Sequence, residues 1–393
     1  LDIGIRNLVL TKEGEIDDDF LSTCWTVSIL RGLLFGLLSA GIGGVIFLLQ
    51  VQGIFAADSP YAAPVLPWAI AAVGSTGFVF GFQTPLRFLP ERDMQFGRNT
   101  FMHISAKVFG LIVTIALALY LRSVWARVLG YLARAIFEVV LCYYLFPGPP
   151  MRLQLRRDYL GLVIGRGKWI AGNSVLTALA QSADRLVLGF VMSSSTFGYY
   201  FIARQLVDMV VRFLVAINDQ SGVQVFRHLQ KSDLAEFRRN YYRYRLFFDA
   251  VAGLSTGALF VLAPLAVDII FDDRYAPVAP IVQTLIWGAL LTGPLLLRAA
   301  LGAERRFKEL AQLALLSAIT LWAGLGIAIF GFSSESMAIT VIALYHLPEA
   351  MVLILRGGDR DWVIIWREFL GFAFCLLGIL CGWSALWVWN LVT

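Results

Sequence analysis

The sequence predicts an all-α, polytopic integral membrane protein with about eleven transmembrane helices. Three observations predict it. Hydrophobic residues make up 59% of the 393 positions and charged residues only 15%, against about 25% charged in a soluble domain. The apolar residues fall in blocks of about 20, the length a helix needs to cross the hydrocarbon core. Basic residues concentrate in alternate connections between those blocks, the pattern of a chain that crosses a membrane repeatedly. This composition excludes a nucleic-acid binder, a secreted disulfide scaffold and an ordinary cytosolic enzyme.

The chain opens with the polar run LDIGIRNLVLTKEGEIDDD, which lacks the basic start and apolar core of a signal peptide. Four apolar blocks follow, at 26–49, 64–82, 104–121 and 124–146. Pro147, Pro149 and Pro150 then break the helix. The basic segment that follows, to residue 168, interleaves Leu, Val and Ile with Arg. It reads either as an amphipathic segment on anionic headgroups or as an ordinary basic loop. Six more blocks occupy 169–192, 198–222, 246–271, 278–302, 310–332 and 336–355, and one further block, 368–390, is appended. Helix is required throughout, because an open strand leaves backbone groups unsatisfied in lipid. The expected organisation is an N-terminal lobe over 1–146, a basic interfacial connection over 147–168, a C-terminal lobe over 169–355 and an extra span within 356–393.

One set of connections holds twenty-two basic residues, Arg87, Arg152, Arg156, Arg245 and Arg305 among them, while the intervening set holds only Arg122 and Arg274. The first set is therefore expected to face the cytoplasm. The outer loops are all short. A membrane polymerase or ligase needs a sizeable outer loop for its site, so the O-antigen polymerase/ligase class is disfavoured.

Eight basic residues remain inside the blocks: Arg31, Lys107, Arg127, Arg134, Arg185, Arg204, Arg212 and Arg298. Each costs roughly 2.5–3.5 kcal/mol at the centre of a lipid-facing helix. Lys107 and Arg298 are expected near cytoplasmic ends and Arg127 near an outer end, where long side chains snorkel. At 100° per residue, Arg127, Tyr131, Arg134 and Glu138 share one face of their helix. So do Asn173, Thr177, Gln181 and Asp184, and likewise Arg204, Gln205, Asp208, Arg212 and Asp219. Two readings fit such stripes. One is local pairing at i,i+4, as Arg134 with Glu138 or Arg204 with Asp208. The other is a cationic cavity for an anionic substrate. The excess of basic residues favours the cavity, with Arg134, Arg204, Arg212 and Arg31 as substrate-binding candidates. Asp184, Arg185, Asp208, Glu138, Asn173 and Gln181 are the coupling or orienting candidates. Seven of the eight cations are arginine, whose planar fork binds two phosphate oxygens and stays charged, so the substrate is expected to carry phosphate. Asp184 is expected to couple transport to a proton or sodium ion, or else to form a static pair with Arg185 or another cavity arginine.

No resident cofactor is expected. Cys24, Cys142, Cys375 and Cys381 are scattered, and His103, His228 and His346 stand far apart, so neither set forms a metal-ligand spacing. Neither a Walker loop nor a carboxylate run suited to phosphate chemistry is present, and transport is the expectation over catalysis.

The run QSADRLVLGFVMSSSTFGYYFIARQLVD (181–208) resembles a hallmark of the polysaccharide-transporter (Wzx-like) oligosaccharide flippases, within the multidrug/oligosaccharidyl-lipid/polysaccharide superfamily. Its matching residues are Asp184, Arg185, Gly198, Tyr199 and Ala203. FLSTCWTVSILRG (20–32) is similar to that family's third-helix entrance, and LAPLAVDIIFDDRYAPVAP (262–280) to its ninth-helix exit. The resemblance implies two helical bundles around a central cavity that alternate access across a bacterial inner membrane. It implies an undecaprenyl-pyrophosphate-linked oligosaccharide as cargo, membrane lipids as surroundings and polysaccharide polymerase machinery as partner. It also implies two helices before the point where this sequence begins. A drug or cation exporter of the same superfamily is the alternative, and would be expected to line its cavity with acids. A purely structural membrane scaffold is disfavoured by the charged stripes.

Overall fold

The computed structural model describes all residues except 1–4, 7–8, 10–15, 93–94, 162–181, 230–233, 295–296, 299–306, 359–363 and 393. Among the described residues there is no strand. The helices are α1 (Asp18–Val51), α2 (Leu66–Gly81), α3 (Gly97–Leu121), α4 (Trp125–Leu145), α5 (Ser194–Leu229), α6 (Leu234–Ile270), α7 (Val278–Leu285), α8 (Phe307–Gly326), α9 (Glu335–Leu344), α10 (Leu347–Gly358) and α11 (Leu370–Val392). Ten of the eleven expected spans fall on them. Of the eleventh, 169–192, only the helical stretch 182–191 is described. Seven helical spans among the described residues are long and apolar enough to cross a membrane, or eight if α2 and the turn Pro85–Arg92 count as one span bent by 74°. The polytopic all-α expectation therefore holds. The other spans depart from it for visible reasons. The 278–302 block leaves α-helical form after Leu285 and runs on as a 3-10 helix to Thr292, and α5 carries Arg204, Asp208 and Arg212 in its interior.

The chain divides into two compact units, Leu1–Ser182 and Ala183–Thr393. In the first, α1 packs along α2 and α3 along α4. The α1–α2 contact is close because glycine faces backbone. A Cβ at Gly43 would lie 2.6 Å from the Pro67 carbonyl oxygen, and one at Gly81 2.9 Å from that of Ser28. Leu34, Leu37, Leu38, Ile42, Val45 and Leu48 of α1 stay exposed. Such a surface is unfavourable in water and natural against lipid.

The described part of the basic connection is a strap on the start of α1, extended to Arg156 and helical from Arg157 to Gly161. The Arg152 and Gln154 amides donate to Ser22 Oγ at 3.3 Å and Thr26 Oγ1 at 3.1 Å. Arg156 pairs with Asp19 at 2.9 Å, and the Tyr159 hydroxyl donates to Asp17 Oδ2 at 2.7 Å. Asp17 and Asp19 thus meet the strap directly, through Tyr159 and Arg156.

The second unit is built around α7, whose Val278, Val282, Leu285 and the following Ile286 are buried in one apolar core with Tyr200, Leu214 and Phe248. The appended span is part of this unit: α11 lies along α6, and a Cβ at Gly378 would sit 2.6 Å from the Leu254 carbonyl oxygen.

Candidate functional site

In the first unit, a cavity of about 350 Å³ is lined by Arg6, Arg31, Arg87 and His103, with Glu138 as its one carboxylate among the described residues. Each group arrives from a different element. Arg31 comes from α1, His103 from α3 and Glu138 from α4, while Arg87 comes from the turn after α2. That turn begins where the Thr84 side chain accepts the Leu86 amide at 3.3 Å and Pro85 starts a new helical direction. Glu138 is 4% exposed. Its Oε1 lies 3.0 Å from His103 Nδ1 and accepts from Gln83 Nε2 at 3.1 Å, and its Oε2 lies 3.7 Å from the Arg134 guanidinium. Arg6 is held by Glu91 at 2.6 Å.

A second cavity, of about 210 Å³, is lined by Lys107, Arg127 and Arg134 with Tyr131 and Thr114. Arg127 stands two residues into α4, at a helix end as expected, whereas Lys107 lies deeper than expected. Helix α3 begins at Gly97, not near 104, so Lys107 lies ten residues in, about 15 Å along the axis. Both side chains line the same cavity.

In the second unit, α5 and the stretch before it carry a ladder of charges. Asp184 is buried, accepts the Tyr200 hydroxyl at 2.5 Å and the backbone amide of Arg185 at 2.8 Å, and lies 3.9 Å from Arg204. Asp208 gathers three arginines: Arg204 at 3.0 Å, and Arg185 and Arg212 each at 3.6 Å. Of the static alternatives, the pair with the Arg185 guanidinium is not formed, since that guanidinium reaches Asp208, whereas a pair with another arginine is, at 3.9 Å to Arg204. The Arg212 side chain is 79% exposed, so one carboxylate steadies it while most of its donors face outward. Asn173, Thr177 and Gln181 lie outside the described residues, as does the side chain of Asp219.

Two further clusters were missed from sequence. Arg298, expected to snorkel, pairs with buried Glu349 at 3.0 Å, and Glu349 also meets His346 Nδ1 at 3.0 Å and accepts from Ser317. Arg245, counted among the cytoplasmic loop cations, is 1% exposed on α6. It lies 2.8 Å from Asp249 and 2.9 Å from Glu368, and donates to the Gly293 carbonyl. Helix ends alone cannot reveal this pairing. The local cues were Asp249 four residues after Arg245 and Glu349 three after His346; Arg298 has no such neighbour.

Long helices with exposed apolar faces define a polytopic α-helical membrane protein, and its first unit carries two cavities lined by basic side chains. A family described as "Polysaccharide biosynthesis protein" matches residues 1–280, and the chain belongs to that family. The lipopolysaccharide biosynthesis protein WzxC of Escherichia coli (strain K12) is 22% identical over 297 residues, covering 74% of this chain and 56% of WzxC. The chain thus spans about half the length of that relative. Among solved structures, the lipid II flippase MurJ in an inward closed conformation matches with a TM-score of 0.71 at 12% identity, covering 100% of this chain and 88% of MurJ. The likeness to Wzx-like transporters read from 181–208 agrees with the family.

Proposed function

We propose that this protein flips an oligosaccharide linked to undecaprenyl pyrophosphate from the cytoplasmic to the outer leaflet of a bacterial inner membrane, by alternating access, for export of surface polysaccharide. The observation that carries this reading is the 350 Å³ cavity, lined by Arg31, Arg87, His103 and Glu138 together with Arg6, which Glu91 holds. Its volume falls in the range of small-ligand sites, about 300–1,000 Å³, and its guanidiniums suit phosphate oxygens. A drug or cation exporter would need the opposite charge on these walls. The names of WzxC and MurJ support the reading: one is a lipopolysaccharide biosynthesis protein, the other a lipid flippase. In the second unit the outward-facing Arg212 and its neighbour Arg204 supply further phosphate donors, and buried Asp184 is the group through which a proton or sodium ion couples to transport. Delivery to polysaccharide polymerase machinery completes the proposal.

The test is complementation of a strain lacking this gene. Arg31→Ala and Arg87→Ala, inserted at normal abundance, should leave lipid-linked oligosaccharide on the inner leaflet and reduce surface polysaccharide. Normal surface polysaccharide in both would sink the cavity as the cargo site.

A further inference from the structure

The Arg134–Glu138 pair joins the walls of two cavities. Glu138 lines the larger, with Arg31 and Arg87; Arg134 lines the smaller, with Lys107 and Arg127. No carboxylate lines the smaller cavity, and among the described residues neither Lys107 nor Arg127 has an acidic partner within ion-pair distance. Lys107, ten residues into α3, is a cation within a membrane span without an acid, which is costly unless an anion meets it, and Arg127 adds its charge to the same cavity from the start of α4. The site is also built to hold its shape. The arginine stem is seated against glycine, since a Cβ at Gly110 would lie 2.6 Å from Arg134 Cβ. The Tyr131 ring lies 5.7 Å beneath the Arg134 guanidinium carbon, and Arg134 Nε is buried without a hydrogen-bond partner.

We propose that the cavity lined by Lys107, Arg127 and Arg134 is a second binding site for a phosphate group, and that the Arg134–Glu138 pair is the partition between it and the first. The proposal rests on reading the first cavity as an anion site and adds where the anion goes next. Arg6 and Arg87 lie at the end of the first unit that the loop charges assign to the cytoplasm. Arg127, two residues into α4, lies at the other. A phosphate arriving in the second cavity takes over the guanidinium of Arg134. Glu138 is not stranded by that exchange, because His103 and Gln83 already sit at 3.0 and 3.1 Å from its other oxygen. The partition can therefore open without leaving a bare carboxylate in the membrane. Two molecules present this chemistry, the pyrophosphate of the cargo and the headgroup phosphate of a bilayer lipid.

The experiment counts bound inorganic pyrophosphate on the purified full chain in neutral detergent. On an Arg212→Gln background, which removes the exposed donor of the second unit, the chain should bind two equivalents. Lys107→Gln with Arg127→Gln should weaken one of them by about tenfold or more while leaving the other unchanged, and Arg31→Gln should do the converse. Repeating the count in phosphatidylcholine nanodiscs, with and without phosphatidylglycerol, assigns the occupant. Loss of one equivalent to the anionic lipid marks a headgroup site, whereas two equivalents in both bilayers mark a site for the cargo, and either supports a phosphate site here. A single equivalent, lost in Arg31→Gln and indifferent to the double variant, would overturn the second site and leave the first standing. Two equivalents that the double variant does not touch would also overturn it, and no binding at all would overturn both.

Discussion

Glu368→Ala should undock the last span. Glu368 is 2% exposed and stands between α11 and α6. Its Oε2 lies 2.9 Å from Arg245, and its Oε1 accepts from the Tyr241 and Tyr242 hydroxyls at 3.2 and 3.3 Å. Removing one partner of a buried ion pair costs about 3–5 kcal/mol. Arg245 retains Asp249 and the Gly293 carbonyl, so the lower figure applies, about 3 kcal/mol, which multiplies the undocked population roughly 150-fold. Cys375 reports that population, since it is 2% exposed on the α11 face that packs against α6. In a Cys381→Ser background, maleimide labelling of Cys375 should accelerate toward that factor, while buried Cys24 and Cys142 of the first unit stay protected. Glu368→Gln keeps an acceptor for both tyrosines and should raise the rate less, by about tenfold. A Cys375 rate within twofold of wild type in Glu368→Ala would refute the latch.

Thr26→Ala removes the acceptor of the Gln154 amide and should expose the strap to trypsin at Arg152 and Arg156; unchanged cleavage would deny that the hydroxyls of α1 hold it. The hydrogen bond to Asp17 raises the Tyr159 hydroxyl above its ordinary value of 10.0. A phenol whose folded value is raised stabilises the strap below its unfolded value and ceases to as pH climbs through the folded one. Protease protection should therefore hold at neutral pH and weaken above about pH 10, and Tyr159→Phe should remove that tyrosine-dependent component; identical alkaline profiles would contradict it. Arg212→Lys should lower flipping severalfold with normal insertion, because an ammonium lacks the two-oxygen fork; wild-type flipping would reduce Arg212 to a partner of Asp208.

The spans were legible because lipid demands unbroken apolar length, and α1, α3, α4, α6 and α11 need little else to be recognised. The i,i+4 contacts were equally plain, since Arg204, Asp208 and Arg212 must neighbour one another on any helix. What the sequence hid depends on which helices meet. His103 and Glu138 are 35 positions apart, and Arg245 and Glu368 are 123. Nothing local joins them. Arg31 gave little sign of its importance, because only Ser28 shares its face, yet it lines the larger cavity with Arg6 and Arg87 from other segments. Placing Lys107 required knowing that α3 starts at Gly97, and the polar residues Arg98, Asn99, Thr100 and His103 concealed that start.

Translocation of a lipid-linked pyrophosphate oligosaccharide by purified protein in sealed vesicles tests the cavity's role most directly. Arg31→Ala should slow the appearance of substrate in the opposite leaflet by about tenfold or more, and Arg31→Lys should recover only part of the rate. Transport at the wild-type rate by a properly inserted Arg31→Ala protein would show that the basic cavity of the first unit is not where the pyrophosphate is held.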